Sequence, residues 1–270
     1  IEIDCTAAAN AEIPVNYYED DDAPSPYSSF VKYGNFVIFS ALAPAAGNLN
    51  YNQLQFKNEV RTCFDRIGKL LNRIGAETSN IFRTRVYLRN MRDRSLVNEV
   101  TREYFSFFPL RVITEVSRLR DEQRFCLECD ASTGSEMEYI RTSKGQKPTG
   151  PFSQGIRIGR NVFCSGVRPI NPKTGRLVEG DFEARTVRCM ENLNAVLQAG
   201  RVTMDHVFES RVYLRNLADL KIVDKVFRLY FNPARYPVRT AIEISRLNED
   251  YESGWEPNHD VEIEVSAYDG

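Results

Sequence analysis

Histidine is nearly missing from this sequence: His206 and His259 are the only two in 270 residues. A Ser-His-Asp or Cys-His triad needs an imidazole beside its nucleophile, and the common zinc sites need several converging Cys and His ligands. Two isolated histidines support neither, so no metal is expected. Cysteine is also sparse. Six thiols (Cys5, Cys63, Cys126, Cys129, Cys164 and Cys189) are too few for a disulfide scaffold and read as free buried thiols of a reducing compartment. The one CxxC string, Cys126 to Cys129, lies in a strand-like stretch where residues three apart point to opposite faces. Long hydrophobic runs are absent as well. The longest nearly apolar stretch, Phe36 to Ala46, contains a proline and is too short to span a bilayer, so no membrane is expected. A net charge of −2 provides no field for nucleic acid, which is therefore not an expected partner. There is no glycine-rich phosphate loop, and no cofactor is expected. Asp20-Asp21-Asp22 reads as a solvated turn. The sequence begins at Ile1 rather than methionine, compatible with a cytoplasmic protein or with an organellar one after loss of a targeting peptide.

What is present is a repeat. Ser25-Pro26-Tyr27-Ser28 returns as Gly150-Pro151-Phe152-Ser153, and Val86-Tyr87-Leu88-Arg89-Asn90 returns intact as Val212-Tyr213-Leu214-Arg215-Asn216. Pro109-Leu110-Arg111 returns as Pro237-Val238-Arg239, and Glu115-Val116-Ser117-Arg118-Leu119 as Glu243-Ile244-Ser245-Arg246-Leu247. Two long units indicate domain duplication; a solenoid needs more and shorter repeats. The expected organisation is a tail over residues 1–10, a first domain over 11–134 and a second over 135–270, with Ser132 to Glu136 as linker.

Each unit has the same element order. Gly34-Asn35 and Gly159-Arg160 are flanked by β-like runs and predict hairpins. Val60, Phe64, Ile67, Leu71 and Ile74 fall at helical spacing, as do Thr186, Met190, Leu193 and Leu197, with Asp181 placed as an N-cap. A strand ending at Leu88 or Leu214 follows, then a second helix from Asp93 or Asp219, then two closing strands. An early strand near Ile13 or Met137 completes each unit. This is an α+β fold with a mixed sheet and two helices on one face. The uncovered sheet face demands a partner, so association is expected on physical grounds.

Gly150-Pro151-Phe152-Ser153-Gln154, Ser165-Gly166-Val167-Arg168-Pro169, Asn171-Pro172-Lys173-Thr174-Gly175, Tyr236-Pro237-Val238-Arg239 and Val261-Glu262-Ile263-Glu264 occur in that order. In order and spacing they resemble the signature of the RidA/YjgF imine-deaminase family. The resemblance covers nearly all of 135–270, and covers 11–134 more loosely. It implies a chorismate-mutase-like fold that trimerises with sheets inward and active sites between subunits. It also implies hydrolysis of 2-imino acids to 2-oxo acids and ammonia, without a cofactor.

In the second copy the resemblance points to Arg239 as the carboxylate holder and Glu262 as the residue that positions or activates water. Phe152, Ser165, Gly166 and Asp224 are the substrate-binding counterparts. Arg239 shares a strand face with Ala241 and Glu243, while Thr240, Ile242 and Ile244 face the core; a structural ion pair to Glu243 or Glu262 is the alternative use of the arginine. Glu262 and Glu264 share the polar face of the last strand, opposite Val261, Ile263 and Val265. The first-copy counterparts are Tyr27, Ser40, Asn98, Arg111 and Cys126. The copies depart from the family in different places: Phe152 lacks the tyrosine hydroxyl and Asp224 stands for an asparagine, whereas Ala41 stands for the glycine and Cys126 for the glutamate. Neither copy holds a full set.

Three readings follow: an imine/enamine hydrolase acting on small 2-imino acids; a non-catalytic small-carboxylate binder or assembly module, alone or within a larger enzyme; and an endoribonuclease, disfavoured by the acidic balance. The expected assembly is a trimer of tandem chains. Three first copies form one ring and three second copies another, so that each cleft draws both halves from the same copy.

Overall fold

The structure, a computed structural model, describes residues 13–20, 27–44, 52–134, 136–247 and 260–270. The first unit contains β1 (Val15–Tyr18), β2 (Phe30–Tyr33), β3 (Phe36–Phe39), α1 (Gln53–Asn72), β4 (Ile81–Leu88), α2 (Arg94–Tyr104), β5 (Leu110–Glu115) and β6 (Phe125–Ser132). The second contains β7 (Met137–Ile140), β8 (Gly155–Ile158), β9 (Asn161–Cys164), α3 (Phe182–Ala199), β10 (Val207–Leu214), α4 (Leu220–Tyr230), β11 (Val238–Glu243), β12 (Arg246–Leu247) and β13 (Val261–Tyr268).

The local signals act as expected. Gly34 and Gly159 take φ of 55° and 58° in the two hairpin turns, a region in which a side chain is strained. The Asn52 carboxamide oxygen accepts from Leu54 N at 2.8 Å to start α1, and the Asp181 carboxylate accepts from Ala184 N at 2.9 Å to start α3. The apolar stripe of α1 (Phe56, Val60, Phe64, Ile67, Leu71) is buried against the sheet, as is that of α3 (Met190, Leu193, Val196, Leu197). Asp20 departs from the solvated turn expected of it: it is buried and ion-paired with Arg66 of α1, while Asp21 and Asp22 lie outside the described residues.

The sheets are mixed, with β4–β5 and β10–β11 parallel and the other pairings antiparallel. Their orders are β1-β2-β3-β6-β4-β5-β12 and β11-β10-β13-β9-β8-β7. Strand β12 belongs to the second unit by sequence yet pairs with β5 of the first, Arg246 opposite Glu115 and Leu247 opposite Thr114. The sheet faces away from the helices meet each other. Phe82 and Leu110 of the first unit pack with Ile156, Ile158 and Phe163 of the second, and Val112 packs with Tyr213, Ile244 and Leu247. Each unit therefore covers part of the face that its neighbour cannot cover alone.

Buried charge crosses this contact. Arg85 Nε donates to Glu264 Oε1 at 2.6 Å, and the Tyr213 hydroxyl donates to the same oxygen at 2.9 Å. Arg83 donates to Asp130 at 2.6 Å and to Ser266 Oγ at 3.3 Å. Burial pushes the Glu264 carboxyl up, but Arg85, Arg83 and Arg211 outweigh it and hold the group below the usual range. Such a network fixes the register of the two units more than it adds stability.

Candidate active site between the two units

Strand β5 positions Arg111 at the edge of the first sheet, where the second unit closes over it. Arg111 N donates to Ser165 Oγ at 2.9 Å, and Gly166 N donates to Arg111 O at 3.3 Å. Ser165 Oγ itself donates to Ser153 O at 2.6 Å. The guanidinium donates to Asn98 Oδ1 of α2 at 2.6 Å and lies 5.1 Å from the centre of the Phe152 ring. First-copy Arg111 and Asn98 thus share a site with second-copy Phe152, Ser165 and Gly166.

Glu262, on β13, belongs to the same place. Gly166 is wedged against it: a Cβ there would lie 1.9 Å from Glu262 Oε1 and 2.8 Å from Val112 Cγ2. Gly150 is pressed against the arginine, where an added Cβ would meet Arg111 Nη2 at 2.8 Å. Arg94 and Arg168 converge on Thr149, the first through its carbonyl at 3.4 Å and the second through its hydroxyl at 3.0 Å. The loop carrying Thr149 is held by Gln154, which donates to Thr142 O at 3.0 Å and Gln146 O at 2.7 Å.

Burial shifts both members of the pair toward their neutral forms. Burial pushes the Glu262 carboxyl up to about 7, against the pull of Arg168 and Arg111. Burial and the neighbouring Arg94 push Arg111 down to about 9, still a cation at neutral pH but one destabilised by its surroundings. Arg111 Nη2 and Glu262 Oε2 are both buried without a hydrogen-bond partner. Orphaned buried polar atoms of opposite character in one cluster are rare in a purely structural contact.

Sequence reasoning paired Arg239 with Glu262, and the structure corrects this. Arg239 lies on edge strand β11, ion-paired with Asp224 of α4, its guanidinium 5.7 Å from the Phe227 ring centre. Strand β10 stands between β11 and β13. Ala241 packs against the helix-side core, whereas Ile242 faces the contact between units, so both faces of β11 are used. Asp224 accordingly sits with Arg239 and not with Glu262. Tyr27, Ser40 and Cys126 form no part of the Arg111 cluster; Tyr27 is exposed, and Ser40 Oγ donates to Ser28 O at 2.6 Å. The expectation that each cleft draws both halves from one copy is overturned as well, because the β5 edge of the first unit is occupied by the second unit of the same chain. Same-copy rings would require that edge to be free. Arg94, Thr149 and Arg168 were not singled out from sequence; Arg168 sits inside the Ser165–Pro169 string, and its charge was the available signal.

Among the described residues, no group of three or more His, Cys, Asp or Glu is arranged to hold a metal, and no helix is long and apolar enough to cross a membrane. Cys63, Cys129, Cys164 and Cys189 are buried free thiols, and Cys126 is a half-buried one.

Comparison with known proteins agrees with the duplicated fold. The chain is 40% identical over 131 residues to a RutC family protein of Pyrococcus abyssi, covering 48% of this chain and 96% of the relative. It is 31% identical over 117 residues to the chloroplastic Reactive Intermediate Deaminase A of Arabidopsis thaliana, covering 43% and 62%. A crystal structure of RidA from an Antarctic Psychrobacter aligns with a TM-score of 0.44 at 29% identity, over 48% of this chain and 98% of that one. The profile described as Endoribonuclease L-PSP matches twice, over residues 20–133 and 142–269, so the chain belongs to that family, the RidA/YjgF family, as two tandem domains.

Proposed function

We propose that the chain hydrolyses small 2-imino acids, or the enamines in equilibrium with them, to 2-oxo acids and ammonia, in the cleft between its two units. The family and the deaminase among its relatives support imine or enamine deamination at the family level. The observation that carries the reading is the pairing, inside one buried cluster, of Arg111 Nη2 and Glu262 Oε2, each without a partner.

In this reading Arg111 holds the substrate carboxylate. A buried cation gains most from an anion brought against it, and a guanidinium offers two parallel donors. Asn98, a neutral acceptor, orients the guanidinium without cancelling its charge, whereas the Asp224 carboxylate cancels that of Arg239. Glu262 takes a proton from water as the water oxygen bonds to the imine carbon. It returns that proton to the nitrogen of the resulting carbinolamine. The carbinol O–H proton then passes by way of Glu262 to the departing nitrogen as the C–N bond breaks, so that ammonia leaves and the oxygen becomes that of the ketone. A carboxyl near pH 7 suits both steps. Phe152 packs on the arginine but has no hydroxyl, so proton transfer falls to Glu262 alone.

The test is release of 2-oxo acid and ammonia from 2-iminopropanoate generated freshly in the assay. Acceleration by the chain, lost in Arg111→Ala and Glu262→Gln and kept in Arg239→Ala, is expected. No acceleration by the wild-type chain refutes the reading. The missing hydroxyl at Phe152 favours a second reading, a binder of small carboxylates. It would show as thermal stabilisation by 2-oxobutanoate with no turnover.

A further inference from the structure

Two further guanidiniums stand beside Arg111 and Glu262, and the hydrolysis described above gives neither a task. Arg94 opens α2 and lies one helical turn before Asn98, so the two side chains share the face of the helix turned to Arg111. Arg168 follows Gly166 in the other unit, and its backbone is held on both sides. Its N–H donates to Gln146 Oε1 at 2.6 Å, and its carbonyl accepts from the buried Asn192 carboxamide at 3.2 Å. Arg94, Arg111 and Arg168 are 7%, 4% and 2% exposed. From opposite units, Arg94 and Arg168 meet at Thr149, one residue before the Gly150 that is pressed against Arg111 Nη2.

The duplication supplies a control for both positions. The counterpart of Arg94 is Leu220, the first residue of α4, and the counterpart of Arg168 is Ala43, which precedes Pro44 as Arg168 precedes Pro169. Away from the cleft the fold accepts leucine and alanine here, so neither arginine is needed to build it. Inside the cleft both bring charge to a place where burying charge is costly. Both act on the same two groups, disfavouring the cationic form of Arg111 and favouring the ionised form of Glu262. Three guanidiniums thus act on one carboxylate, and this cluster is cationic even with Glu262 ionised. The α-carboxylate of a 2-imino acid brings one negative charge, and Arg111 takes it. A second carboxylate on the same molecule is the complement of Arg94 and Arg168, which approach one point from two sides.

We infer that the preferred substrates are 2-imino dicarboxylic acids, the imines corresponding to aspartate and glutamate, with Arg111 holding the α-carboxylate and Arg94 and Arg168 the side-chain carboxylate beside Thr149. The inference rests on the hydrolytic reading of this cleft and narrows it. A carboxylate matches the paired donors of a guanidinium, and donors left unmatched penalise a substrate that lacks the group. An aliphatic 2-imino acid sets a methyl or ethyl group against those donors. Arg94 and Arg168 are specificity-determining residues in this assignment, and the chemistry is unchanged: water adds to the imine carbon, ammonia leaves, and the product is a 2-oxo dicarboxylic acid.

The test compares kcat/KM of the full chain for 2-iminosuccinate and 2-iminopropanoate, each generated freshly from its amino acid by an oxidase. Wild type is expected to favour 2-iminosuccinate by about tenfold or more, the worth of one charge-assisted hydrogen bond. Arg94→Leu and Arg168→Ala, which carry the residue of the other copy, are each expected to lower that ratio about tenfold. A role confined to folding or to tuning Glu262 would slow both substrates alike and leave the ratio unmoved. Should either variant fail to fold, Arg94→Gln and Arg168→Gln make the same comparison. Equal values for the two substrates, or a ratio unmoved in folded variants, overturn the inference and leave the hydrolytic reading standing. If neither imine is turned over, that reading fails, and thermal stabilisation separates the two claims. Greater stabilisation by oxaloacetate than by pyruvate at equal concentration, lost in Arg94→Leu, upholds the second carboxylate anchor; equal stabilisation overturns it.

Discussion

Replacing Glu262 by glutamine tests whether the site carboxyl is held against its own ionisation. Its folded value stands near 7 against an ordinary 4.5, because burial outweighs Arg168, Arg111 and Arg94. For a carboxyl raised by folding, the native state binds more protons than the unfolded chain between the two values. Stability from this group is therefore fully present below pH 4.5 and is lost as pH rises through about 7. Each unit corresponds to 1.36 kcal/mol, so the ionised carboxylate costs the native state about 3 kcal/mol at pH 8. Glutamine has the shape of the protonated acid and never ionises. Glu262→Gln should match wild type near pH 4.5 and exceed it by about 2–3 kcal/mol at pH 8. In urea, with a slope of about 1–3 kcal/mol per molar, that is a midpoint shift of about 0.7–3 M.

Equilibrium unfolding of both chains at pH 4.5, 6, 7 and 8 provides the measurement. Other carboxyls raised by burial, such as Glu128 and Asp260, titrate in both chains and cancel in the difference. A difference that does not change with pH would refute the reasoning. So would a glutamine variant that is the less stable chain at pH 8, since the arginines would then be stabilising the carboxylate on balance. Activity should move the other way, with the more stable variant inactive, as expected where a strained site is kept for chemistry.

The remaining predictions concern the groups around that carboxyl. Arg111→Ala should lower kcat/KM for a 2-imino acid by about 10- to 150-fold, the worth of a charge-assisted hydrogen bond of about 1.5–3 kcal/mol, and Arg239→Ala should leave it within a factor of two or so. Gly166→Ala should displace Glu262 or part the two units, and should show both reduced activity and a lowered unfolding midpoint. Glu264→Gln leaves buried Arg85 with only the more distant Asp130 carboxylate at 3.7 Å and should destabilise the chain by up to about 3 kcal/mol in urea unfolding.

Much of the fold is legible in the sequence because local signals suffice for it. Hairpin glycines at positions 34 and 159, the Asp181 cap and the helical stripes each act within a few residues of chain. The exchange of β12 is not legible, since Arg246-Leu247 is too short to read as a strand and its partner, Glu115, belongs to the other unit. The same limit misplaced the arginine. Strand alternation tells which face Arg239 shares with Ala241, but not which unit closes over that strand, and Arg111 and Arg239 carry the same local signature. Only the packing of the two units distinguishes a buried arginine beside Glu262 from one held by Asp224 at an open edge.

That packing also gives the two sets of departures a common logic. The cleft takes its arginine from one unit and its carboxylate from the other, joining Arg111 and Asn98 to Ser165, Gly166 and Glu262. Arg239, Asp224, Ser40, Ala41 and Cys126 lie outside it. Taken copy by copy, each unit looks half degraded. Taken by position in the fold, the asparagine, the glycine and the glutamate fall in the Arg111 cleft with a single departure, Phe152, and the aspartate, the alanine and the cysteine fall outside it. Independent decay of two complete sites has no reason to sort itself this way. A chain that keeps one composite site does, because Asp224, Ala41 and Cys126 all lie away from the Arg111 and Glu262 cluster, where a departure leaves that site unchanged.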